Sequence, residues 1–120
     1  MTSDLENRLE LMFKDLNLSV FIKFNEDDEI MYKMGDDLLS KALITSNFKE
    51  IISAGIAMPV RFINNEIYEM IILNDRGYVA KEGRKERYLI VVKGKKGSLY
   101  AAIGDDLDPG LVLFELMQVV

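Results

Sequence analysis

Any chemistry in this sequence would have to come from carboxylates, lysines, tyrosines, serines or threonines, because its 120 residues include no cysteine and no histidine. That composition removes disulfides, thiolate nucleophiles and sulfur-ligated metal centres. It also removes the commonest general base and the commonest transition-metal ligand. The acidic run Glu26-Asp27-Asp28-Glu29 has carboxylates enough for a hard cation, yet it lacks the alternating ligand spacing and central glycine of a calcium loop. Lys93-Gly94-Lys95-Lys96-Gly97 is too short for the phosphate-cradling GxxxxGK[ST] pattern and leads into a strand instead of opening a helix. The carboxylate pairs Glu66/Glu69 and Asp105/Asp106 have no spacing that singles out an acid and a base. The residues therefore point away from an enzyme, with no catalytic, cofactor or metal site to nominate.

The formal charge is −5 and the pI about 4.8, which disfavours nucleic acid and anionic membranes as partners. Charge is nonetheless segregated. The N-terminal third carries Asp4, Glu6, Glu10, Asp15 and Glu26 to Glu29, whereas Arg76, Lys81, Arg84, Lys85, Arg87, Lys93, Lys95 and Lys96 make the later hairpins basic. With 49% hydrophobic residues the chain can fill one core, so a single domain over residues 1–120 is expected. No signal core or membrane-length apolar run is present, which reads as a soluble cytoplasmic protein without a membrane span.

These groups must be positioned by elements that the periodicity makes legible. Ser3 with Glu6 has capping-box spacing, and Leu5, Leu9, Met12, Phe13 and Leu16 recur at helical intervals, predicting a helix over residues 4–16. Leu18 to Phe24 and Ile30 to Met34 alternate as a hairpin. Asp36 or Asp37 can cap a second helix over Leu38–Ala54, closed by Gly55. Asn47 and Glu50 repeat the capping-box spacing and offer a break near Thr45-Ser46-Asn47, but the expectation is one continuous helix. Its wide apolar arc predicts cover on more than one side, including a second subunit.

The centre of the chain is a meander. Ile67–Leu73 and Tyr78–Lys81 flank a turn in which Gly77 is expected to take a positive backbone angle, and Leu89-Ile90-Val91-Val92 is apolar at every position. The latter reads as a strand buried on both faces in the middle of a sheet. Segments 59–63 and 98–103 are candidates for extra strands. Asp108-Pro109 starts a final helix over Gly110–Val120, whose only polar members are Glu115 and Gln118; such a helix is packed deeply or against a partner. The expected class is α+β, a three-layer α/β/α arrangement around an antiparallel sheet of five or more strands, in the order α-β-β-α-β-β-β-α.

This order resembles the roadblock/LC7 (dynein light chain-like) family, which has a profilin-like three-layer arrangement. The resemblance lies in Met70 to Val79 with its glycine turn, the apolar Tyr88–Val92 strand and the Gly110-Leu111 start of the last helix. It implies a homodimer in which Glu66–Leu73 pairs with its copy across a twofold axis and the second helices lie side by side. Leu39, Leu43, Ile67, Glu69, Ile71 and Leu73 would form that interface, and Ser46, Lys49, Glu50 and Ser53 the surface for a further partner. An apolar edge strand is independently something that proteins cover. The implied function is a non-enzymatic scaffold or regulator for a small Ras-like GTPase or a signalling or motility complex. The alternative is a small-molecule sensor of profilin-like or PAS/GAF-like type, its pocket lined by methionines such as Met31, Met34, Met58, Met70 and Met117.

Overall fold

A strand that is apolar at every position is stable only with a core on each side of it. In the computed structural model, described over residues 4–54, 58–63 and 66–120 and by backbone alone at Leu5, Ser53 and Ala54, Leu89-Ile90-Val91-Val92 occupies that position. It lies in β6 (Arg87–Lys93), the fourth strand of a seven-stranded sheet. The order is β2 (Ile30–Gly35), β1 (Leu18–Phe24), β7 (Leu99–Asp105), β6, β5 (Gly77–Glu82), β4 (Ile67–Asn74), β3 (Val60–Arg61), with every neighbouring pair antiparallel.

The two-residue period of the strands divides the apolar residues between two cores. Leu89 and Val91 join Val20, Ile22, Phe24, Tyr78 and Ile103 beneath α2 (Asp37–Ile44) and α3 (Phe48–Ala54), which contribute Leu43, Phe48 and Ile51. Ile90 and Val92 join Phe21, Val79 and Ala102 beneath α1 (Asp4–Asp15) and α4 (Pro109–Val119), which contribute Leu9, Val112, Leu113 and Leu116. The expected three-layer α+β architecture is what the chain adopts. Residues 98–103 do form a strand, β7, and 59–63 yields the short β3, so the observed order is α-β-β-α-α-β-β-β-β-β-α. No helix among the described residues is long and apolar enough to cross a membrane.

Two helix starts follow the sequence signals. Asp36 accepts from the Leu39 N–H at 2.9 Å, and Asp108 accepts from the Leu111 N–H at 3.2 Å with Pro109 at the first turn. Ser3 of the predicted capping box and the Gly55 cap lie outside the described residues.

The continuous second helix is corrected to two. Thr45 Oγ1 donates to the Lys41 and Ala42 carbonyls, Ser46 Oγ donates to the Leu43 carbonyl at 2.6 Å, and Asn47 turns away to bond β3. Short polar side chains that bond nearby backbone compete with the helical ladder, and three in succession end it. The wide apolar arc is thus the sum of two short helices, one burying Ser40 and Leu43 and the next Phe48 and Ile51. Gly77 is likewise corrected. It is not among the residues with positive φ, and a side chain there would collide with the Val91 carbonyl, so close strand approach is what requires glycine.

Candidate interaction surface

The strand β4 carries the exposed apolar residues Ile67, Ile71 and Leu73, and its backbone decides which way they face. Paired residues share a face: Tyr68 and Met70 lie opposite Glu82 and Ala80, whereas Ile72 and Leu73 lie opposite Val79 and Tyr78, with a register shift between Met70 and Ile72. That bulge reverses the alternation. Tyr68 and Met70 pack with the α2/α3-side core, Ile72 packs with the α1/α4-side core, and Leu73 turns back to the α3 side beside Tyr78. Ile67 and Glu69 therefore face away from Leu73, and the strand does not present one apolar stripe.

The bulge gives the β4–β5 hairpin apolar flanks on both faces. On one face Leu73 meets Ile51 and Ile52 of α3 in a cleft of about 410 Å³, closed at its end by Asn74, Asp75 and Gly77. On the other, Met117 of α4 reaches the hairpin, its sulfur 4.0 Å from Asn74 Nδ2 and its carbonyl 3.4 Å from Arg76 Nη1. Phe114, 58% exposed, precedes Met117 by three residues and so lies on the same helix flank. Asn74 holds the turn itself, its Oδ1 accepting from the Arg76 and Gly77 N–H groups, each at 2.9 Å. Along the outer edge β3 covers only Ile67 and Tyr68, and the Arg61 N–H and Pro59 carbonyl on its other side are taken by the Asn47 side chain. From Glu69 onward no described strand pairs with that edge.

The residues nominated from sequence are divided by this geometry. Ile67, Glu69, Ile71 and Leu73 are exposed, on two faces. Leu39 is half-buried against the α2/α3-side core, and Leu43 is fully buried there, with no surface left for a second subunit. Ser46 is engaged in ending α2. Lys49 extends over the Phe24 ring, 4.2 Å from its centroid, and pairs with Asp28 at 3.5 Å. Glu50 is exposed, and the Ser53 side chain lies outside the described residues. Sequence reasoning missed Phe114 and Leu111. Gln118, four and seven residues later, marks the solvent face that they share.

A second groove, about 150 Å³, lies between α2 and the β3–β4 connection, with Leu38 and Ile63 as lips and Phe62, Tyr68 and Arg87 within. Burial pushes the Tyr68 hydroxyl up to about 12, against the pull of the Arg87 guanidinium. Arg87 is itself held by Asp105 in two bonds, 2.7 and 3.2 Å, which raise its affinity for its proton further. A guanidinium already matched to a carboxylate has little charge to offer a ligand.

No family model matches the chain, and no curated protein matches it in sequence. Solved structures do match in shape. The chain of LokiProfilin2 in its complex with rabbit actin is similar with a TM-score of 0.77 and 12% identity, over 99% of this chain and 94% of that one. LokiProfilin1, in a crystal structure with rabbit actin, is similar with a TM-score of 0.75 and 12% identity, over 99% and 93%. At this identity the likeness is one of fold, and the fold of the chain is profilin-like.

Proposed function

We propose that the chain is a non-enzymatic protein-interaction module, and that its β4–β5 hairpin, with α3 on one side and α4 on the other, docks on actin or an actin-like protein. The observation that carries this reading is the bulge in β4, which places Leu73 above Ile51 and Ile52 and leaves Ile72, Met117 and Phe114 on the opposite flank. Two apolar flanks around one hairpin end suit a partner that contacts it from both sides. The profilin-like fold supports the choice of partner, since both neighbours are in complexes with actin.

Burying a large apolar side chain is worth about 1.5–3 kcal/mol, so Phe114→Glu and Leu73→Glu should each weaken binding at least about tenfold. Titration calorimetry with monomeric rabbit actin provides the test. Wild-type binding that both substitutions weaken supports the reading, and no heat from folded wild type sinks it.

The homodimer is a second reading, favoured by the β4 edge that no described strand covers beyond Tyr68. Light scattering across a concentration series decides it: a dimer broken by Ile71→Glu supports pairing through β4, and a persistent monomer rejects it. A Ras-like GTPase, implied by the roadblock/LC7 resemblance, is the partner to titrate if actin gives no signal.

A further inference from the structure

Arg76, Lys93, Lys95 and Lys96 are brought to one corner by backbone contacts. The Lys93 N–H donates to the Arg76 carbonyl at 2.6 Å, and the Lys95 N–H to the Val120 carbonyl at 3.3 Å, which joins the β4–β5 and β6–β7 turns to the end of α4. These cations are not equivalent. The last turn of α4 has no basic residue, and Arg76 Nη1 at the Met117 carbonyl answers the negative end of that helix from outside. Lys93, Lys95 and Lys96 are exposed and belong to none of the ion pairs among the described residues. Lys93 continues the β6 alternation onto the α2/α3 side, opposite Leu99, which leaves Lys95 and Lys96, beside Glu26 at Gly97, as the cations next to the end of α4; two adjacent like charges in an exposed turn add little to the stability of the fold.

We propose that this corner docks a protein surface presenting carboxylates around an apolar centre, so that Lys95 and Lys96 meet acidic side chains while Phe114 and Met117 are buried. The inference rests on the interaction-module reading and names the chemistry of the partner. An anionic membrane fits less well, because the acidic β1–β2 loop stands at the same end of the sheet: Phe24 pairs with Leu99, and Glu26 packs against Gly97. Its carboxylates would face the lipid headgroups. Against a protein, they set the orientation instead.

The test is titration of monomeric rabbit actin with wild type, Lys95→Glu/Lys96→Glu and Glu26→Lys/Asp27→Lys, each checked for folding by circular dichroism. Wild-type affinity should fall with added salt. Reversal at the lysines should cost about tenfold or more, and reversal at the acidic loop should not. A lysine variant that binds as tightly as wild type overturns the inference and leaves the interaction module standing. If wild type does not bind actin, the actin reading fails, and a titration with oligoglutamate followed by amide chemical shifts decides the inference separately. Shifts confined to the turn at Lys95 and Lys96 support an acidic partner; their absence overturns it. Lysine-dependent binding to phosphatidylserine vesicles without a response to oligoglutamate also overturns it, in favour of a membrane.

Discussion

Tyr78 is fully buried, and its hydroxyl donates to the Phe48 carbonyl at 2.8 Å, tying β5 to the first turn of α3. A buried acceptor that loses its donor costs about 1–2 kcal/mol, so Tyr78→Phe should lower urea-unfolding stability by that amount; an unchanged midpoint would refute the bond. Burial also pushes this hydroxyl well above its ordinary value of 10.0, and Tyr68 up to about 12. Both groups are neutral when protonated, so above pH 10 the unfolded chain releases protons that the folded one keeps. Their contribution is complete below about pH 10 and is lost as pH rises through 12 and beyond. Tyr78→Phe should flatten that alkaline decline, and an identical slope in both proteins would show that the tyrosine titrates alike folded and unfolded. The sequence shows Tyr78 as a strand residue but not its acceptor, because Phe48 is thirty positions away.

At the scale of elements, Asn47 is the clearest case of a signal present but misjudged. Its spacing to Glu50 marked a helix start, yet the apolar residues on either side read as one helix. The structure uses the side chain differently: Asn47 Oδ1 accepts from the Arg61 N–H at 2.8 Å, and Nδ2 donates to the Pro59 carbonyl at 3.2 Å. It holds β3 to the junction of α2 and α3. Asn47→Ala should cost about 1–2 kcal/mol and speed amide exchange at Arg61 while leaving Ile90 protected. Equal exchange at both sites, or none altered, would reject the anchoring role. Elements with strong local signals were legible: the capped starts of α2 and α4, the β1–β2 hairpin and β6. The bulge in β4 was not, because Ile67 to Leu73 reads as an unbroken apolar strand whichever face each residue takes.

The whole molecule stands on one strand shared by two cores. Leu89 faces α2 and α3, and Ile90 faces α1 and α4, both fully buried. Truncating either to alanine should cost about 2–5 kcal/mol. Because the two layers meet across β6, each loss should lower one cooperative transition. Far-ultraviolet circular dichroism and tyrosine fluorescence should therefore report the same midpoint in each variant. Separate midpoints would show that the helical layers unfold independently.

By itself the sequence determined the class of fold, the central place of β6, and the absence of thiol and imidazole chemistry. These depend on composition and on periodicities of two and about 3.6 residues, which are local. Only the tertiary structure decided which apolar residues remain outside. Leu43 and Ile71 look alike in sequence, yet one is sealed beneath the sheet and the other lies at a bulge on its edge. The same holds for charge. Lys95 and Lys96 are part of a turn in sequence and become a basic corner at the end of α4 because strand register and the Val120 carbonyl bring distant segments together. Exposure and proximity belong to packing, and packing is settled by the whole chain at once.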